Sequence, residues 1–334
     1  METPEDAPGT AELPPSAVPH PPAPTASLPA GPGEAAPLGS CCSDCAGGRE
    51  SRPAQPEAEP VYAIGRVEVR FPTLGLEREF QQRLAQLPEA DADESRGSQM
   101  RRVLEANPHV AARMTYTFVV AGVPAFVLAP TGRYLQEQLL TAVEHSADQE
   151  YWCVLIGRRG PMARPEMAGG VLAPVVACDH LYCFAFEEWQ ASLEQQLAPV
   201  TKAERISGTT LVTVTKELFS QVISSTENIG VTDAHRALNY VVVQHPGLFL
   251  AAAERRGKQV MERIEARQIH GLGTRRVVAV ILTFLNVTTG VPERLFTRVD
   301  VTEEWPFIAD REDGTRAPLG LLPYVENELM GLAY

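Results

Sequence analysis

Fourteen of the 28 prolines in this 334-residue chain fall within its first 60 residues, and no Phe, Trp or Tyr does. That asymmetry leaves residues 61–334 to supply any core. Nine acidic residues against Arg49 and Arg52 give the stretch seven of the chain's 13 net negative charges. Such a segment lacks the apolar surface that offsets the entropy of ordering it. Residues 1–60 are therefore expected to form a disordered, Pro-rich acidic linker, and they carry a cysteine cluster. The basic start and apolar run of a secretory signal are missing. No stretch approaches the roughly 18 apolar residues of a membrane span. The acidic balance argues against nucleic acid as a partner, since phosphate contacts need a basic footprint. Arg-Arg pairs at 101–102, 158–159, 255–256 and 275–276 are scattered and read as solvated surface residues. Six cysteines without an export signal point to the cytoplasm and to no disulfide framework.

Past residue 60 the patterning changes at once. In VYAIGRVEVRF, Val61, Ala63, Val67, Val69 and Phe71 alternate with Arg66, Glu68 and Arg70, which predicts a half-buried strand. Leu76, Phe80, Leu84 and Leu87 then recur at helical spacing. Residues 114–130 read as two strands turning at Gly122, followed by a helix capped by Thr131 with Leu135, Leu139, Ala142 and Val143 inward. Strand-like segments at 151–157 and 171–186 precede a helix at 187–197. A longer helix carries Leu211, Leu218, Val222 and Ile229 on one face and stops at Gly230. Thr232 caps the next helix, and LFLAAAERR supplies another. Three strands, 259–269, 275–287 and 294–304, form a hairpin-connected meander. The expected fold is α+β: N-terminal strands and helices, a central helical pair, and a C-terminal antiparallel β-meander. The expected divisions are 61–200 and 201–310, packed as one unit, with 311–334 as an extension.

Chemistry is harder to find. The strings GxSxG, HExxH and GxxxxGK[ST] do not occur. Two cysteine groups stand out, Cys42-Ser-Asp-Cys45 beside Cys41, and Cys178-Asp-His180-Leu-Tyr-Cys183. Together Cys42, Cys45, Cys178 and Cys183 make a tetrahedral zinc set, with His180 as the alternative ligand. Against it, the first pair lies in the linker. The second pair spans five strand positions, which sets the side chains on opposite faces. Buried free cysteine is the plainer reading of the second group. Glu187-Glu188 and Glu303-Glu304 read as solvated pairs, and Trp152, Trp189 and Trp305 as core. No catalytic residue is assigned.

The order of VYAIGRVEVRF, Asn107-Pro108, VPAFVLAPTG (123–132), GGVLAPVV (169–176), NIGVTDAHRALNYV (228–241) and FTRVDVTEEWP (296–306) resembles the domain of unknown function of the cyanobactin maturation proteins PatA and PatG. The resemblance spans roughly 60–310 and is strongest around Arg236-Ala-Leu-Asn239. In that family proteolysis resides in a separate subtilisin-like domain. This chain lacks its GTSxxxP motif, Gly208-Thr-Thr210 being the nearest string. Relatives carry a cysteine pair in the segment matching 267–278, where this chain has His270 alone. The resemblance implies a non-catalytic accessory or interaction domain in a ribosomal-peptide maturation pathway. Its implied partners are the precursor peptide, the modifying enzymes or a second copy of the chain in a homodimer. Two alternatives stand beside it: an enzyme with an unrecognised site, for which Glu187, Glu188 and His180 are the first places to look, and a zinc-stabilised structural protein.

Overall fold

The computed structural model describes residues 59–87, 94–166, 168–204, 206–224, 227–270, 273–309 and 321–324. Its first half closes a five-stranded barrel. The strands are β1 (Glu59–Arg70), β2 (Thr115–Val120), β3 (Val123–Pro130), β4 (Tyr151–Met162) and β5 (Pro174–Ala185), in the order β1-β2-β3-β5-β4. All neighbours are antiparallel except β3 and β5, which run parallel. A parallel pair needs a crossover, and helix α4 (Tyr134–Glu144) lies in it. Helices α1 (Leu74–Leu84), α2 (Arg96–Ala106) and α3 (Pro108–Ala111) fill the connection from β1 to β2.

Closure depends on β1 serving two partners. Glu59 to Gly65 pair with β4, and Arg66 to Arg70 pair with β2. The change of partner falls at Gly65, where a Cβ would lie 2.3 Å from the Val119 carbonyl oxygen. Val61, Ala63 and Val67 share one core with Phe118, Phe126 and Val176 of the barrel and with Leu76, Leu104, Leu135 and Leu139 of the helices. The expectation of a half-buried β1 is corrected over its first half. Residues 61–65 are buried on both faces, because Tyr62 and Ile64 pack against the helices and sheet of the second half of the chain.

That second half consists of four helices and a second sheet. The helices are α5 (Phe186–Ala203), α6 (Gly208–Ile223), α7 (Asp233–Gln244) and α8 (Pro246–Arg255). The sheet contains β6 (Gln259–Ile269), β7 (Val277–Asn286), β8 (Pro292–Asp300) and β10 (Leu322–Pro323) in the order β10-β8-β7-β6, with β9 (Phe307–Ile308) also on β8. The β6-β7-β8 meander is antiparallel, as its hairpin spacing implies. β7 is buried over its first eight residues, which explains why it reads as a continuous apolar run rather than an alternation. Val154, Ile156 and Phe184 on the barrel, apolar residues of α5–α8, and Val278, Val280 and Leu282 of β7 form one cluster. The fold class is α+β.

Two local expectations are corrected. The helix after β3 is capped at Arg133 without a side-chain bond. Thr131 instead donates to the Cys178 carbonyl at 2.9 Å. Helix α6 ends at Ile223, so Gly230 does not stop it. Gly230 has φ +80°, and a Cβ there would sit 2.4 Å from the Tyr62 carbonyl oxygen. It is glycine because β1 passes against it, with the Tyr62 N–H donating to the Gly230 carbonyl at 2.9 Å. Thr232 does cap α7, accepting from the His235 N–H. Among the described residues no helix is long and apolar enough to cross a membrane.

Candidate functional site

Cys42 and Cys45 lie outside the described residues. Cys178 and Cys183 do not face apart. A β-bulge opposite Ile156/Gly157 inserts an extra residue at Asp179, and each such insertion reverses side-chain parity. Val176 and Cys178 before it, and Leu181 and Cys183 after it, therefore pack against the same core. Cys183 is already engaged: it stands directly opposite Cys153, Cα to Cα 4.0 Å, in a disulfide. That pair corrects the reading of the cysteines as free thiols. Cys178 is free and buried, and burial pushes its thiol up to about 12, with the Asp179 charge acting the same way. Such a thiol stays protonated and inert at neutral pH. Among the described residues no group of three or more His, Cys, Asp or Glu is arranged to hold a metal.

The bulge also gathers a small surface cluster. The Tyr134 hydroxyl donates to the Asp179 carbonyl and lies 3.2 Å from His180 Nδ1. His180 meets Trp305 edge to face at 4.9 Å. Arg158 pairs with Glu304 beside it. Glu187 and Glu188 are exposed in the first turn of α5, and no hydrogen bond or ion pair joins them to His180. The three residues named as an alternative enzyme site are thus not brought together. Trp152 and Trp189 pack with Phe219, as core residues do.

Arg236 and Asn239, from the stretch that carries the resemblance, are both buried. The α7 backbone aims them in two directions. Arg236, with 0% side-chain exposure, donates to the carbonyls of Val301 (2.7 Å), Glu303 and Glu304 (3.2 Å). Asp233 Oδ1 lies 3.5 Å from it, and Arg276 shares that carboxylate at 3.3 Å. Burial lowers the guanidinium to about 10, and the Asp233 charge opposes that shift, so it remains charged at neutral pH. Asn239 donates to the Tyr62 carbonyl at 3.0 Å and accepts from Asn228 at 2.7 Å. Helix α7 thereby ties the barrel to the segment after β8. The Arg-Arg pairs behave alike: Arg101 and Arg102 meet Glu144 and Glu94, Arg255 and Arg256 meet Glu293 and Glu217, and Arg275 meets Asp300. Apart from Arg102, whose partner lies just before its own helix, these arginines reach from one segment to another while remaining partly exposed, as surface residues do.

Among the described residues, the surface includes two shallow hollows. One, of about 410 Å³, lies between α1 and α2 and is lined mainly by Phe71, Phe80, Leu84 and Met100. The other, of about 430 Å³, opens where β6 begins, over Val214, Leu218, Met261 and Phe284. Its carboxylate, Glu217, is bound bidentately by Arg256. Neither is lined by a histidine or a cysteine. A constellation of nucleophile, base and charge stabiliser needs convergent titratable groups, and neither hollow supplies one. The feature left open is a strand edge. β6 ends the sheet, and apart from an isolated bridge between Arg256 and Gln259 no described residue pairs with it besides β7.

Comparison with known proteins agrees with the order of segments. The profile of a family described as "PatG Domain" matches residues 60–255, and that of a family described as "PatG C-terminal" matches residues 207–311. A solved structure titled "PatG Domain of Unknown Function" superposes with a TM-score of 0.57 at 20% identity, covering 76% of this chain and 97% of that one. At that identity the likeness speaks for the fold alone. No curated protein matches the chain.

Proposed function

The chain belongs to the PatG domain family, and from that premise we propose that it is a non-catalytic binding module serving the maturation of ribosomally made, cyanobactin-like peptides in the cytoplasm. The observation that carries this reading is where the polar residues of its most characteristic stretch point. Asn228, Arg236 and Asn239 are buried and bonded within the fold itself, chiefly to main-chain carbonyls. Residues that hold a fold together in this way are not poised for a substrate. A module of this kind engages the precursor peptide or the enzymes that modify it. The test is a pull-down followed by calorimetry, using the full chain with precursor peptides and modifying enzymes encoded beside it. A saturable complex is the expected result. Turnover of a peptide substrate by the purified chain alone would overturn the reading.

A further inference from the structure

We propose that the outer edge of β6 is a docking strand for an extended peptide whose side chains alternate between acidic and apolar. The proposal rests on the binding-module reading and names the chemistry of the partner. β6 runs for 11 residues at the end of the sheet. An unpaired edge offers a row of N–H and C=O groups to an added strand, and the side-chain pattern on either face sets which strand is accepted.

The two faces of β6 differ in kind. A bulge at Glu262, between Met261 and Arg263, sets the frame. On one face stand Arg263 and Arg267, with Glu265 between them at 3.5 and 2.9 Å. The strand register continues these rows across the sheet, from Arg263 through Thr283 to Arg294, and from Arg267 through Ala279 to Arg298. Four arginines thus stand in these two rows, with Glu265 in the row between them and Asp300, held by Arg275, in the row beyond Arg298. Arg294 and Arg298 rest against Tyr324 and Phe296, and no carboxylate lies within ion-pair distance of either among the described residues. In a chain of net charge −13 this is a local excess of positive charge. On the other face, Met261, Ile264 and Ala266 are half-buried against the central core, and the 430 Å³ hollow opens beside Met261. A strand added to β6 alternates its side chains with the same period of two. Its acidic residues then fall in turn beside Arg263, Glu265 and Arg267, the outer two meeting arginines and the middle one meeting the carboxylate those arginines already hold, and its apolar ones fall beside Ile264 and Ala266.

The probe is a fluorescein-labelled peptide, Thr-Glu-Val-Glu-Leu-Glu-Val-Thr, titrated into the full chain by fluorescence anisotropy. A counterpart with lysine at each glutamate, and one N-methylated at alternate peptide nitrogens, serve as comparisons. The acidic peptide is expected to bind roughly tenfold or more tightly than the lysine peptide. Arg263→Glu with Arg267→Glu is expected to reverse that order, and N-methylation to abolish binding. Both arginine side chains are about half exposed, at 52% and 46%, so the variant is expected to fold. Circular dichroism checks this, and Arg267→Glu alone replaces the double variant where it does not. Equal binding of the two peptides, an order unmoved by charge reversal, or unimpaired binding of the N-methylated peptide overturns the proposal. Absence of acidic-peptide binding while the pull-down with precursor peptides and modifying enzymes succeeds overturns this docking edge and leaves the binding module standing. Failure of both experiments removes both.

Discussion

Arg236 is a fully buried cation whose acceptors lie 65 to 68 residues away along the chain. Truncating it leaves buried carbonyls and part of Asp233 without their donor, a loss on the order of 3–5 kcal/mol. Arg236→Ala is therefore expected to lower the urea midpoint steeply. Arg236→Lys is expected to recover only part of the loss, because an ammonium cannot span the fork from Val301 to Glu304. The importance of this residue is legible in the sequence through the resemblance, but its role is not. Its acceptors are main-chain atoms, and main-chain atoms leave no mark in a residue pattern. His245 makes a second case. It is 6% exposed, and burial lowers its pKa from 6.5 to about 4. Its stabilising contribution is complete above pH 6.5. In the window below, the unfolded chain takes up a proton that the folded chain does not, so stability falls as the pH falls towards 4. The loss amounts to about 2 kcal/mol between pH 6.5 and about 5. Urea midpoints of the parent and of His245→Gln, each at both pH values, check this, and the variant is expected to show the smaller drop.

Among the elements, the strands with bulges are the ones that periodicity misjudges. Strict alternation placed Cys178 and Cys183 on opposite faces, and one inserted residue at Asp179 brings them to the same one. The bulge at Glu262 likewise groups Met261 with Ile264. A bulge needs no special residue type at either place, so sequence alone does not announce it. Helices fared better. The inward residues expected of α4 are all buried, because a helical stripe is local and survives whatever packs on it. β1 shows the limit of local reading. Its alternation is visible, but its change of partner at Gly65 is set by β2 and β4, which come much later. Gly65→Ala drives a Cβ into the Val119 carbonyl. It is expected to cost roughly 2–4 kcal/mol, read as a fall in thermal midpoint with residual far-ultraviolet dichroism retained.

The whole molecule is legible as a class and as an ordering of segments, and illegible as a closed object. Neither barrel closure nor the burial of β1 on both faces follows from any single segment. The barrel's outer residues Tyr62, Ile64, Val154, Ile156 and Phe184 are covered by α5–α8 and β7. A chain ending at residue 203 would expose much of that cluster, far more apolar surface than a soluble monomer tolerates. It is expected to be found in the insoluble fraction or to bind a hydrophobic dye, and co-expression with residues 204–334 is expected to restore solubility.

The divided pairing of β1 also dictates a timetable during synthesis. Its second half finds β2 about 50 residues later, but its first half must wait for β4, which ends at Met162. The Tyr62 amide waits longer still, for Gly230. The strand that opens the barrel is thus the last of its five strands to have its main chain fully satisfied as the chain leaves the ribosome. Over that interval it is a nascent edge of the kind on which aggregation begins, and translation pauses before codon 230 would lengthen its exposure.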